Sequence, residues 1–128
     1  MSATYLSPAE QKVRALNLTP IMAKVVAEHD MDAATAARAE ELYRQFLVLK
    51  AENMAATLVP PRLADLVWHE HITHSRQYMA DCQAVFGEYL HHTPGLEGSE
   101  TLYVNAMPVW QKRFGSDMRA YAYADCGA

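Results

Sequence analysis

The amino-acid sequence predicts an all-α protein, a compact bundle of about five to six helices in a single domain spanning residues 1–128. The chain is 51% hydrophobic, which provides enough apolar surface for one core. Its 21 alanines and 12 leucines outnumber the 11 valines and isoleucines, and glycines number only five. Because Ala and Leu lose little entropy in a helix, this balance favours helices over strands.

The first two helices are predicted from start signals that contain proline. Ser7-Pro8-Ala9-Glu10 has the order of a capping box, which begins a short helix that runs to about Asn17. Thr19-Pro20 repeats the signal, and the apolar residues that follow recur at helical spacing to about Asp30.

The third helix is predicted from an acidic cap followed by an apolar stripe. Asp30 or Asp32 can cap its first turn. The stripe then covers about five turns of one face. Its members are Ala39, Leu42, Tyr43, Phe46, Leu47 and Leu49.

The chain beyond Pro60-Pro61 allows two interpretations. Pro61 can open a helix, and the pattern from Arg62 to Phe86 is compatible with one long helix. It is equally compatible with two helices separated near residues 72–75, because Ile72 and Thr73 are β-branched and Thr73 or Ser75 could cap a new start.

The remaining segments are predicted as a loop, a last helix and a tail. Turn-forming residues between positions 93 and 98 indicate a loop, after which Ser99 caps a helix that runs through Trp110 to Phe114. We expect this helix to be kinked at Pro108 and closed by Gly115. A flexible C-terminal tail is expected from about residue 122.

Charge and composition exclude several classes of partner. The formal net charge of −4 provides no general attraction to nucleic acid or to an anionic membrane. No secretory signal or membrane span is expected, and Cys82 and Cys126 are expected to be free thiols. The prediction is therefore a cytoplasmic protein, whose possible partners are another protein or a second copy of this chain.

The histidines are the feature that calls for an explanation beyond folding. Five of the six lie within 24 residues, and neutral imidazole is the commonest protein ligand for transition metals. The sequence thus suggests a site for iron, copper or zinc. The candidate ligands are His69, His71, His74, His91 and His92.

Helix geometry limits how these histidines can meet. On a continuous helix His71 and His74 share a face, while His69 points elsewhere, so convergence of the three requires the helix to end near His71. Along one helical arm His91 would lie about 24 Å from this group. Either there are two separate polar sites, or Gly87 breaks the arm and folds the last histidines back, or a second subunit closes the gap.

Known catalytic motifs do not fit the cluster. His69-Glu70-His71 resembles the start of a zincin helix, but Thr73 stands where the second histidine ligand is needed. One Glu-x-x-His, at Glu88 to His91, is too little for a ferritin-like di-iron site.

Two functional hypotheses follow. In the first, the protein is a metal-binding and metal-dependent enzyme, oxidative rather than hydrolytic, in which Tyr78, Glu70 or Asp81 handles a proton. In the second, it is a non-enzymatic interaction module whose histidines form a structural network. In that network His69, beside Trp68, is expected to matter most for stability.

Part of the sequence resembles the glycine-rich-domain-containing-protein-like family. The resemblance lies in Trp68-His69, Tyr78, Cys82, Phe86-Gly87 and His92, and in a shorter block at Val109-Trp110 and Phe114-Gly115. The glycine-rich tail of that family is absent. The resemblance implies no activity, but it implies that His69 and His92 belong to a shared framework and that His74 is individual to this chain.

Overall fold

The computed structural model describes residues 6–92 and 100–115, the latter with backbone only for residues 100–103. Within these ranges it contains six helices and no strand, which confirms the all-α prediction. The helices are α1 (Pro8–Arg14), α2 (Thr19–His29), α3 (Ala33–Glu52), α4 (Arg62–Thr73), α5 (Ser75–Phe86) and α6 (Glu100–Phe114). The predicted Ser99 cap, Cys126 and the predicted tail lie outside the described residues. Across the described ranges, no helix is both long enough and apolar enough to cross a membrane.

The predicted caps explain where α1 and α3 begin, whereas α2 begins at Thr19 after Leu18 without a side-chain cap. The Ser7 hydroxyl accepts a hydrogen bond from the Glu10 amide at the start of α1, and the Asp32 carboxylate accepts one from the Thr35 amide at the start of α3. α1 is shorter than predicted and ends at Arg14. α2 ends before Asp30, which adopts a left-handed conformation with φ of 51°.

α3 is the central helix and packs against α1, α2 and α4. All six residues of its predicted apolar stripe are buried. α6 adds Trp110 to the same core, and the Trp110 indole N–H donates a hydrogen bond to the Gln45 side chain on α3. Arg113 pairs with Glu10 and Glu52, so that charged contacts also connect the end of α6 to α1 and α3.

The chain between Arg62 and Phe86 forms two helices, so the interpretation as one long helix is wrong. The break is at His74, whose φ and ψ of −84° and 66° interrupt the helix. Neither of the hydroxyl residues considered as caps fills that role. Thr73 instead donates its hydroxyl hydrogen bond to the Glu70 carbonyl, one turn earlier in α4.

α5 ends at Gly87, which takes the left-handed conformation with φ of 73°. The chain then turns back toward α4, as in the alternative in which Gly87 breaks the helical arm and folds the last histidines back. Leu90 is buried, and its carbonyl oxygen accepts a hydrogen bond from the Tyr78 hydroxyl. Tyr78 in turn accepts a hydrogen bond from the Trp68 indole, so α4, α5 and the returning segment are joined at one buried point.

Candidate metal centre

Three side chains with metal-binding atoms meet beside α4. Asp65 and His69 lie four residues apart, which places them one above the other on the same face of the helix. His92 reaches this face from the segment that follows α5. Within the residues described, Asp65, His69 and His92 are the group whose ligand atoms lie close enough together to hold a metal ion, all within 4.8 Å of one another.

The donor atoms of the group are closely spaced and differ in their burial. The two Nε2 atoms of His69 and His92 are 2.8 Å apart. The Asp65 carboxylate places Oδ1 3.2 Å from His92 Nε2 and Oδ2 3.4 Å from His69 Nε2. The side chains of Asp65 and His92 are 13% exposed and that of His69 is 52% exposed, so the group opens to solvent on the His69 side.

Hydrogen bonds between neutral imidazoles cannot satisfy all three contacts. At 2.8 Å one of the two Nε2 atoms must accept from the other, because two N–H donors would repel at that distance. The accepting nitrogen then has no proton to offer the Asp65 carboxylate, whose oxygens are acceptors as well. The accepting Nε2 and the Asp65 carboxylate therefore face each other as two acceptors. A cation placed between the two Nε2 atoms and the carboxylate would attract all three groups.

The distances also suit a metal ion. With metal–nitrogen and metal–oxygen bonds of about 2.0–2.2 Å, ligand atoms lie about 2.9 Å apart at right angles and about 3.4 Å apart in a tetrahedron. The observed separations of 2.8, 3.2 and 3.4 Å cover this range. Three protein ligands leave one or more coordination positions open, which is the arrangement of catalytic rather than structural sites.

Trp68 fixes the position of His92. The ring centroids of Trp68 and His92 are 4.3 Å apart, and those of His69 and His92 are 4.5 Å apart. Trp68 is itself held through its hydrogen bond to Tyr78. The imidazole of His92 is therefore oriented by packing as well as by its polar neighbours.

His71 lies outside the group, in a separate buried network. It is 1% exposed, with Nδ1 2.7 Å from the Tyr43 hydroxyl and Nε2 2.8 Å from Asp81 Oδ2. Burial lowers the pKa of His71 and outweighs the opposing effect of the Asp81 carboxylate. Both ring nitrogens of His71 are thus occupied by protein partners.

His74 and His91 also lie apart from the group. His74 Nε2 is 2.9 Å from the Glu70 carboxylate, one turn earlier in α4. His91 is exposed, and its ring lies edge-on to Tyr89 at 4.8 Å. The expectation that His69, His71 and His74 converge therefore does not match the geometry, because α4 continues past His71 to Thr73 and keeps His69 on another face, while His71 is buried and His74 pairs with Glu70.

The three side chains suggested for proton transfer have other partners. Tyr78 is buried between Trp68 and Leu90, and burial raises the pKa of its phenol. Asp81 pairs with His71, and Glu70 pairs with His74. None of them belongs to the group of Asp65, His69 and His92, and their catalytic roles stay predictions.

Asp65 is the member that the sequence analysis missed. Its signal in the sequence is the Asp-x-x-x-His spacing with His69, which places a carboxylate and an imidazole one turn apart on a helix. The high density of histidines favoured imidazoles alone as candidate ligands, although carboxylates also bind these metals.

Comparison with known proteins gives a family but no activity. A family model described as UCP032817-like matches residues 9–102, a range that includes Asp65, His69 and His92. No curated protein and no solved structure matches the chain. The assignment to the glycine-rich-domain-containing-protein-like family is therefore wrong, since the match over most of the chain is to a different, uncharacterised family. The chain belongs to the UCP032817-like family.

Proposed function

We propose that the protein binds one transition-metal ion through Asp65 carboxylate oxygen and the Nε2 atoms of His69 and His92. The observation that supports this is the meeting of three lone-pair donors at 2.8–3.4 Å in an arrangement that hydrogen bonds between neutral imidazoles leave incomplete. His71 and His74 are not ligands in this proposal, because their ring nitrogens have other partners, and His91 is not a ligand because it is exposed and lies outside the group.

The donor set narrows the choice of metal among iron, copper and zinc. Two imidazoles and one carboxylate with open positions are typical of non-haem Fe²⁺ enzymes, and the same ligands also bind Zn²⁺. We therefore propose Fe²⁺ or Zn²⁺ ahead of copper. With Fe²⁺ the open positions favour oxidative chemistry, and with Zn²⁺ they favour hydrolysis.

The first experiment measures metal content and affinity. Protein purified without chelators or an affinity tag is analysed for metals, then stripped and titrated with Zn²⁺ and, without oxygen, with Fe²⁺. We expect one ion per chain and a rise in melting temperature, because a ligand of the native state stabilises it. Less than about 0.1 ion per chain together with no thermal shift would contradict the proposal.

Adjacent histidines provide a matched pair of variants. His92→Ala removes a proposed ligand, whereas His91→Ala removes an exposed imidazole one position earlier. We expect the first variant to lose at least about tenfold in metal affinity and the second to bind like the wild type. Equal losses in the two variants would indicate surface binding and reject the site.

A second experiment tests the oxidative role. Protein loaded with Fe²⁺ without oxygen is exposed to O₂, while absorbance and oxygen consumption are followed. We expect faster oxygen consumption than in the Asp65→Asn variant, which loses the anionic ligand. Identical traces for the two proteins would reject oxidative chemistry at this site without affecting metal binding itself.

A non-enzymatic interaction module with a structural histidine network is the second candidate. The observation that favours it is the buried chain of Tyr43, His71 and Asp81, which joins α3, α4 and α5 through the two nitrogens of one imidazole. In this alternative the metal is absent and the histidines act by stabilising the fold. The metal analysis above separates the two candidates.

A further inference from the structure

A cavity of about 230 Å³ lies between α3, the segment from Met54 to Pro60, and the returning segment that carries His92. It is smaller than the pockets of drug-sized ligands, which are about 300–1,000 Å³, so its ligand would have few non-hydrogen atoms. His92 lines this cavity and is also one of the three proposed metal ligands. The cavity and the metal group thus share one imidazole.

Lys50 supplies a positive charge to the cavity. Its ammonium donates hydrogen bonds to the carbonyl oxygens of Met54 and Ala56, at 3.2 and 2.6 Å. An ammonium has three N–H donors, so one remains for a ligand. Among the side chains described, those of residues 6–92 and 104–115, no carboxylate forms an ion pair with Lys50. Burial lowers the pKa of Lys50, as expected for a cation without an anionic neighbour.

The rest of the cavity lining is mixed, with apolar side chains beside polar groups. Trp68 and the partly exposed Leu58 give the lining its apolar surface, and the fully buried Phe46 packs on Trp68 with ring centroids 4.7 Å apart. Aromatic rings of this kind pack well against a flat apolar ligand. One cationic donor beside Trp68 and Leu58 is complementary to a small molecule that has an anionic end and an apolar body.

We infer that this cavity binds a small organic acid, with its carboxylate on Lys50 and its apolar body against Trp68 and Leu58. The inference goes beyond the proposed metal binding and does not depend on it, since none of these three residues is a proposed metal ligand. A ligand held here lies beside His92, which would make the cavity the substrate pocket for chemistry at the metal.

Benzoate is a suitable probe because it combines a carboxylate with one aromatic ring. It is titrated into metal-free, ¹⁵N-labelled protein and compared with benzamide, which has nearly the same shape and no charge. We expect benzoate to bind at least about tenfold more tightly, because a hydrogen bond to a charged group is stronger than a neutral one.

The two tryptophans report where the probe binds. The indole N–H signal of Trp68, which lines the cavity, should move on adding benzoate. The signal of Trp110 should move less, because its N–H is held by Gln45 and Trp110 is not among the described residues that line the cavity. A larger shift at Trp110 would place the probe elsewhere and overturn the inference.

Three lysine variants test the role of the charge. Lys50→Met keeps the apolar stem and removes the ammonium, and we expect it to weaken benzoate binding at least about tenfold. Lys50→Arg restores the charge and should bind within about threefold of the wild type. Lys24→Met, which removes an exposed lysine on α2, is the control and should bind unchanged.

The outcomes are independent of the metal proposal. Equal binding of benzoate and benzamide, or no binding of either, would overturn the inference even if Lys50→Met fails to fold, because this comparison uses the wild-type protein. Protein that binds Zn²⁺ but not benzoate would keep the proposed function and reject the cavity as an acid site. Protein that binds benzoate but not Zn²⁺ would keep the cavity as an acid site and reject the proposed metal binding.

Discussion

The Tyr78 hydroxyl donates a hydrogen bond to the carbonyl oxygen of Leu90, twelve positions later in the chain. The same oxygen of Tyr78 accepts the indole hydrogen bond of Trp68 at 2.9 Å. Leu90 lies two positions before His92 in the chain, and the Trp68 ring packs against the His92 ring. The Tyr78 hydroxyl therefore connects the packing of α4 and α5 to the position of a proposed metal ligand.

Tyr78→Phe should therefore affect both stability and metal binding. The change leaves the Trp68 N–H and the Leu90 carbonyl without their partner, which costs about 1–3 kcal/mol in the free energy of unfolding. Metal affinity should fall about tenfold, because groups that orient a ligand contribute on that scale. Urea unfolding and a metal titration measure the two effects. Tyr89→Phe, on an exposed ring beside Tyr78, is the control and should change neither.

His71, rather than His69, should be the histidine that stabilises the metal-free fold. The earlier expectation gave this role to His69, but the His69 side chain is 52% exposed and His71 is 1% exposed. His71→Ala leaves the buried Tyr43 hydroxyl without its partner, at a cost of about 1–3 kcal/mol, while Asp81 keeps its hydrogen bond from Gln77. His69→Ala should stay within about 0.5 kcal/mol. Urea unfolding in EDTA compares them, and a greater loss in His69→Ala would contradict this ranking.

Gly87→Ala should cost about 1–2 kcal/mol, because an alanine resists the left-handed conformation that Gly87 adopts. A Cβ at Gly87 would meet no atom within 4 Å, so the cost comes from the backbone alone. Gly115→Ala is a matched control, with φ of 69° and equally open space. Both variants should lose similar stability, measured by thermal unfolding.

The same two glycine variants should differ in metal binding. Gly87 directs the segment that carries His92, whereas Gly115 ends α6, away from the proposed ligands. We expect only Gly87→Ala to bind Zn²⁺ more weakly. Equal affinities in the two variants would show that the turn at Gly87 does not control the position of His92.

The free energy of unfolding should fall in acid, partly because Glu52 becomes protonated and loses its ion pair with Arg113. A hydrogen bond from Arg113 lowers the pKa of Glu52 below its ordinary value of 4.5, while partial burial opposes the shift. As the pH falls below 4.5, Glu52 therefore takes up a proton in the unfolded chain before it does so in the native protein. The stability that ionised Glu52 contributes is complete above that pH and is lost as the pH falls through the native pKa. Both side chains are 31% exposed, so solvent screens the pair, the effect is small and it weakens in salt.

Glu52→Gln isolates this contribution. Melting temperatures measured from about pH 5 to about pH 3 should fall less steeply in the variant than in the wild type. Glu88→Gln, which removes an exposed carboxylate that follows α5, should keep the wild-type slope. A wild-type slope in Glu52→Gln would mean that the ion pair with Arg113 does not contribute to stability.

The sequence by itself determined the helical fold and most of the helix ends. The Ser7 and Asp32 caps and the left-handed Gly87 act within a few residues of the chain, so their effects can be predicted from local chemistry. The buried stripe of α3 follows from helical periodicity in the same way. The break at His74 was one of two open alternatives, because β-branched residues weaken a helix without deciding where it ends.

Only the tertiary structure decided which polar side chains meet. Helical spacing relates Asp65 to His69 within α4, but it says nothing about His92, 23 positions after His69. That meeting depends on how far the chain turns after Gly87 and on packing against Trp68. For the same reason the burial of His71 could not be predicted, since its partners Tyr43 and Asp81 lie on two other helices whose faces are brought together by the core.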